Sequence, residues 1–245
     1  MYSGGAASHV ACMRLKPDVL LFADTGEEHP SLYESIEIGS KKLGVPLVKV
    51  GVKGGMDEVI NYHRSLPTSM ISFCSMYLKV KPCFAWLKEN APNAQIIIGY
   101  TWDELARVKK TKEKYAEKGY EALFPLTERP YVSHQEAVQI YSDEVGIQPL
   151  YERGFPHNNC GGACVKAGIS QWKRLLEVDS ERFEKWKERE SKISALHGKT
   201  CTVLKRYGKP YPLAKLEEDV KSNIELPFSE WGGCSCFTEG EPNNE

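Results

Sequence analysis

Cys160-x-x-x-Cys164 and Cys234-x-Cys236 are two close thiol pairs, each flanked by paired glycines. Thiolates at such spacing are natural ligands of zinc and of iron–sulfur clusters, and the glycines let the backbone wrap around a bound ion. The four are expected to form one closed site, a four-iron four-sulfur cluster or a zinc ion, that pins the tail onto the rest of the chain. Buried apolar thiols or a redox disulfide are the competing readings. Cys74 is a further candidate, as a fifth member or as a nucleophile. Cys12, Cys83 and Cys201 lie in helical or unpatterned contexts and are expected in the core. His157 stands beside the first pair as an alternative ligand or a loop hydrogen-bonder.

The other feature with chemical content is Ser3-Gly4-Gly5-Ala6-Ala7-Ser8. Glycines admit an anion to the backbone amides, the following helix from about Ala6 to Leu15 offers its N-terminus, and two hydroxyls can bond phosphate oxygens. The loop is expected to hold phosphate or sulfate, although a Ser-Gly-Gly taken alone reads better as a flexible terminus.

These residues need a scaffold. Val19–Ala23, Pro46–Val50 and Gln95–Gly99 are short, continuous apolar runs that end in a turn, as strands covered on both faces do. Helical patterns lie between them, over Pro30–Leu43 and about Val80–Asn90, and Ser133-His134-Gln135-Glu136 is a capping box for a helix that Gly146 should close. Alternating strand and helix imply an α/β protein with a parallel sheet and right-handed crossovers. Past residue 150 strand-like runs vanish. Val165, Ile169, Trp172 and Leu176 mark one helix, and Phe183, Trp186 and Ile193 the buried stripe of another at 180–196. Glu181, Glu184, Lys185, Lys187, Glu188 and Arg189 read as its solvated face. The division expected is a nucleotide-binding α/β domain over 1–150 and a helical, cysteine-bearing extension over 151–245 packed on it. Only Met1 and Tyr2 precede Ser3, so the first sheet strand is expected to be nearly absent or truncated.

Phe22-Ala23-Asp24-Thr25-Gly26-Glu27-Glu28-His29-Pro30-Ser31-Leu32-Tyr33 resembles the second-strand segment of the phosphoadenosine phosphosulfate reductase family. Residues 3–8 resemble the pyrophosphatase-like PP-loop of the wider adenine nucleotide alpha-hydrolase-like group. Three further blocks follow in the same order. Phe73–Pro82 resembles the family's Cys-x(3–4)-Lys-x-x-Pro helix start, Gly99–Arg107 its Gly-to-Arg segment, and Phe155–Cys164 its late cysteine loop, so the likeness covers about residues 1–170.

The resemblance implies a three-layer, Rossmann-like parallel sheet. It implies that Ser3, Gly4, Gly5 and Ser8 surround a phosphate or sulfate, with Ala23, Asp24, Thr25 and Gly26 near an adenine and Lys79 and Arg107 as cations for the anionic end. Asp103 and Glu104 would orient Arg107 or hold magnesium with the phosphates. The catalytic candidates are Cys234, Cys236, Cys74 and Arg107. The chain departs from the family's branches at three places. Phe73-Cys74 stands where iron–sulfur adenylylsulfate reductases have a tandem Cys-Cys, Gly-Cys-Ser-Cys-Phe replaces the C-terminal Glu-Cys-Gly-x-His of thioredoxin-linked reductases, and Ala7 occupies the acidic position of ATP-splitting sulfur-insertion enzymes.

The expected function is thiol-dependent sulfur chemistry on phosphoadenosine phosphosulfate, with a thioredoxin-like reductant. The alternatives are an ATP-pyrophosphatase-type sulfurtransferase acting in nucleic-acid thiolation or phosphorothioation, supplied by a cysteine desulfurase, and a catalytically silent nucleotide-binding module. Charge is balanced, with 32 Lys and Arg against 33 Asp and Glu, which excludes an overall basic field and leaves nucleic acid only a local patch. No run is apolar enough to span a membrane and no signal peptide is apparent, so a cytoplasmic protein with free or redox-active thiols is expected.

Overall fold

The computed structural model describes residues 1–146 and 149–226, so Cys234 and Cys236, half of the expected thiol site, lie outside the described residues. Two parallel strand pairs form the α/β framework. Leu20–Asp24 (β1) pairs with Leu47–Gly51 (β2), Leu20 opposite Leu47, and its first four residues are buried. Gln95–Ile97 (β3) pairs with Glu121–Leu123 (β4). Between the pairs runs the start of the chain: the Met1 nitrogen donates to the Ile97 carbonyl at 3.0 Å and the Tyr2 N–H to the Leu21 carbonyl at 2.8 Å. Where a nearly absent strand was expected, two residues stitch β1 to β3.

The helices follow local signals. Ala6–Leu15 (α1) leaves the Ser-Gly-Gly loop. Pro30–Leu43 (α2) starts on a proline, has His29 Nδ1 accepting the Ser31 N–H at 3.2 Å, and ends on Gly44 at φ +66°. Gly55–His63 (α3) and Phe73–Ser75 (α4) come next, and α4 continues through a π-turn, Met76–Val80, into Lys81–Asn90 (α5). Leu105–Glu117 (α6) crosses from β3 to β4. His134–Val145 (α7) carries the expected capping box, with Ser133 and Glu136 bonding each other's backbone. The short Pro149–Glu152 (α8), then Ile169–Val178 (α9) and Ser180–His197 (α10), follow.

Two elements depart from the expectation for the C-terminal part. A hairpin of Lys205–Arg206 (β5) and Lys209–Pro210 (β6) turns through Tyr207 and Gly208, both at positive φ, as a two-residue hairpin loop requires. Leu213–Lys221 (α11) is a helix although the sequence there shows little periodicity; it buries Leu213, Leu216 and Asp219.

The largest hydrophobic cluster joins Met56, Leu66, Phe73 and Leu78 to Trp172, Phe183, Trp186 and Leu213. Helices beyond residue 150 therefore share a core with α3 and the 73–78 turn. Arg189, expected on the solvated face of α10, is 6% exposed. Its guanidinium grips both carboxylate oxygens of buried Glu27 at 2.7 and 3.0 Å, and its Nε donates to Asp57 at 2.8 Å. The forked pairing offsets the cost of burying the charge. Replacing Arg189 with Ala leaves buried Glu27 with the half-exposed Lys185, 3.4 Å away, in place of the forked pairing and is expected to cost about 3–5 kcal/mol in urea unfolding, whereas the Glu27→Ala/Arg189→Ala double variant is expected to lose less than the sum of the single changes.

Candidate functional site

The Ser3–Ser8 loop is shaped by contacts that only glycine permits. Gly4 turns at φ +72°, and a Cβ there would stand 2.5 Å from Ile36 Cγ1. Gly5 precedes α1 in an extended conformation and provides no capping side chain, so the amides of the first helical turn are available to an anion. Ser8 Oγ donates to the Gly5 carbonyl at 2.8 Å and receives the Ser3 N–H and hydroxyl at 3.3 and 3.1 Å. These bonds hold the loop closed around the start of α1. The chain leaving β3 runs against the same turn: a Cβ on Gly99 would lie 2.6 Å from the Ala7 and Ser8 backbone.

This loop forms one wall of a cavity of about 700 Å³. Ser3, Gly5, Ser8, Ala23, Lys79 and Arg107, taken from segments far apart in sequence, all line it. Leu21, Phe22, Ala23 and Ile98 give it an apolar side suited to a planar ring, and Lys79 and Arg107 a cationic one. Arg107 is held in place: it donates to Glu104 and, at 3.3 Å, to the Tyr100 hydroxyl, and its guanidinium lies 4.3 Å from the centre of the Tyr100 ring. Lys79, on the π-turn, is 9% exposed and stands 3.7 Å from Glu28 Oε1. Of the two expected orienting carboxylates, Glu104 does hold Arg107. Asp103 instead accepts the His134 N–H at 2.7 Å at the start of α7.

Two histidines whose convergence the sequence did not reveal complete the wall. His134 and His157 both line the cavity, with their rings 5.6 Å apart. Burial, with His134 and Arg107 nearby, holds the His157 imidazole below its usual pKa. The residue had drawn notice only as a neighbour of the cysteine loop. Its meeting with His134 depends on how the loop folds back, and spacing along the chain carries no trace of that.

Four of the expected nucleotide residues do not line the cavity. Gly4 shapes the loop from behind. Asp24 Oδ1 accepts the Gly26 N–H at 2.9 Å and the Tyr33 hydroxyl at 2.7 Å, so Asp24 and Gly26 build the turn after β1. Thr25 is buried, donates to Glu28 at 3.2 Å and receives the Glu27 N–H at 3.2 Å. Cys74 also lies off this cavity. With Cys160 and Cys164 it lines a separate space of about 20 Å³, roughly enough for one water, together with Lys79 and Lys166.

Cys160 adopts φ +51° and leads into Gly161 and Gly162 at φ +58° and +89°. This left-handed run is anchored by the Cys160 N–H donating to Glu28 Oε2 at 2.8 Å. Three thiols on one space suit a soft metal in kind. Among the described residues, however, no three His, Cys, Asp or Glu side chains are arranged to hold a metal ion. All six described cysteines are free, and Cys12 and Cys83 are buried as expected while Cys201 is partly buried. No helix among the described residues is long and apolar enough to cross a membrane.

No protein-family model matches the chain, and no curated protein matches it.

Two outcomes follow from this geometry. A Cβ on Gly99 drives into the loop that begins α1, so Gly99→Ala is expected to cost about 1–3 kcal/mol of stability and to weaken pyrophosphate binding measured by calorimetry. The second concerns pH. His157 faces Arg107, Lys79 and His134 as cations or potential cations, Glu28, Asp103 and Glu104 as carboxylates, and Tyr100 and Tyr151. An anion favours its protonated form, so binding is coupled to proton uptake and tightens as pH falls. Between pH 7.5 and 5.5 the affinity for sulfate, an anion that does not itself titrate in this range, should rise by about three- to tenfold. His157→Phe should flatten that rise; an unchanged slope would show that the ring does not face the anion.

Proposed function

We propose that this chain is an adenine-nucleotide-dependent enzyme of sulfur chemistry, of the sulfonucleotide reductase type. In this reading the two parallel strand pairs, bridged by the backbone bonds of residues 1 and 2, belong to one three-layer, Rossmann-like sheet. The observation that carries the reading is the single cavity on which Ser3, Gly5, Ser8, Ala23, Lys79 and Arg107 meet. The short sequence motifs mark the same positions as nucleotide contacts, and their convergence supports a nucleotide with its ring against Leu21–Ala23 and its anionic end at α1, Lys79 and Arg107.

In this reading a thiolate attacks the sulfur of bound phosphoadenosine phosphosulfate. An S–S bond forms, the S–O bond to the phosphate breaks, and the adenosine bisphosphate departs with the electron pair. A thioredoxin-like dithiol then attacks the cysteine sulfur, releases sulfite and leaves its own thiols as a disulfide once the second thiol resolves the mixed disulfide. Arg107 and Lys79 stabilise charge gathering on the leaving phosphate. Cys74 opens on the separate thiol-lined space, so this reading gives the attack to Cys234 or Cys236. A cluster or zinc ion would draw on Cys160, Cys164, Cys234 and Cys236, and no step is routed through it. Free thiols fit a reducing, cytoplasmic setting.

A second reading has its own support. The ionised side chains on the cavity are Glu28, Asp103 and Glu104 against Lys79 and Arg107. Three carboxylates and two cations favour a phosphate that arrives with magnesium, which is how ATP is bound by an ATP-pyrophosphatase-type sulfurtransferase.

Calorimetry and turnover separate these. Wild-type protein should bind an adenine nucleotide, and Arg107→Ala should weaken binding by about tenfold or more. Sulfite released from labelled phosphoadenosine phosphosulfate with thioredoxin supports the first reading. Pyrophosphate released from ATP and magnesium supports the second. Binding without either product makes the chain a silent module, and no binding overturns both. The full chain purified without oxygen should be brown if the four cysteines hold a cluster; a colourless protein without zinc removes the metal.

A further inference from the structure

Next to the cavity the surface carries an aromatic pair that the fold does not bury. Trp102 and Tyr131 are 47% and 50% exposed, their ring centres 6.0 Å apart. They are tied together through the backbone, the Trp102 N–H donating to the Val132 carbonyl at 3.0 Å. Both stand at the cavity's rim by chain position, because Thr101 and Asp103 on either side of Trp102, and His134 just beyond Tyr131, line its wall. Leu105, 45% exposed, extends the apolar surface onto α6.

From this rim α6 carries an excess of positive charge. It holds Arg107, Lys109, Lys110, Lys112 and Lys114 against Glu113 and Glu117. Lys109, Lys110 and Lys112 are exposed, and among the described residues none of them makes an ion pair. Leu105, Lys109 and Lys112 stand at i, i+4 and i+7, on one face, so a cationic stripe runs away from the aromatic pair. Residues 102 to 112 cover about 15 Å at 1.5 Å per residue, the rise of about four stacked nucleotides at about 3.4 Å each.

We propose that this rim and stripe bind a single-stranded polynucleotide, with a base against Trp102 and Tyr131 and the backbone phosphates along Lys109 and Lys112. Stacking rings beside a row of unpaired cations are what a single strand needs: its bases expose their faces, and its phosphates supply the complementary charge. A duplex hides those faces. An acidic peptide would use the lysines and leave the rings uncovered. The chain is nearly neutral overall, so the binding belongs to this patch. The inference rests on the second functional reading, in which a nucleic acid accepts the sulfur, and it names the surface that brings the strand to the nucleotide cavity.

The test uses the full chain and fluorescein-labelled 12-nucleotide single strands of DNA and of RNA, followed by anisotropy at increasing salt. Binding is expected with a log–log salt slope of about −1.4, about −0.7 for each of the two phosphates that Lys109 and Lys112 neutralise. Preference between the two strands shows whether the 2′-hydroxyl is read. Trp102→Ala should weaken binding by about 5- to 100-fold, as loss of one stacked base does, and Lys109→Glu/Lys112→Glu by at least about tenfold. Neither variant should change ATP affinity, which shows that fold and cavity are intact. Absence of strand binding at low salt, equal or tighter binding of a 12-base-pair duplex or of polyglutamate, or binding that survives both variants would overturn the proposal. If ATP binds and the strands do not, this inference falls alone. If the strands bind and ATP does not, the nucleotide reading falls while the surface stands.

Discussion

Two adjacent buried carboxylates hold the molecule together. Glu27 and Glu28 follow the turn at the end of β1 and face in different directions. Glu27 receives the forked guanidinium of Arg189 from α10. Glu28 lies beside Lys79 and accepts the Cys160 N–H. One short turn thus fixes the C-terminal helices, the cysteine loop and the cation of the anion cavity relative to one another. The turn itself depends on Asp24 and Thr25, whose side chains bond within it. Charges buried this deeply are tolerated only with partners in place, which makes the arrangement an all-or-none feature of the fold.

The framework was legible where local signals are strong. Continuous apolar runs marked β1, β2 and β3, and a proline, a capping box and terminal glycines marked α2 and α7. By contrast β4 is three residues long, and Glu121-Ala122-Leu123 has no period to detect. Arg189 shows a different failure. It stands three residues after Trp186 and four before Ile193, which is the spacing of the buried stripe, yet its charge argued for solvent. Geometry prevailed because Glu27, from a distant part of the chain, meets it. The loop residues Ser3, Gly5 and Ser8 and the cations Lys79 and Arg107 could be picked out from short motifs. His134 and His157 could not, since their proximity exists only once α7 and the cysteine loop are folded.

The same distinction governs Asp24, Thr25 and Gly26. Their place in the motif is explained by shape: they point Glu27 and Glu28 inward. A motif of this kind records what a backbone must do as readily as what a ligand must touch, and sequence alone does not separate the two.

Lys79 connects the two parts of the site. It lines both the large cavity and the small thiol-lined space, and Glu28 beside it lines the large cavity while bonding the Cys160 backbone. Cys74, Cys160 and Cys164 thus line a space that shares Lys79 with the large cavity. An anion that draws Lys79 toward the large cavity lengthens its contact with Glu28, and Glu28 is the acceptor that holds Cys160 in its left-handed conformation. The same carboxylate also accepts the Thr25 hydroxyl on its own turn, so one side chain ties the turn after β1 to the cysteine loop. The large cavity and the cysteine loop thus meet at one buried ion pair, Lys79 with Glu28.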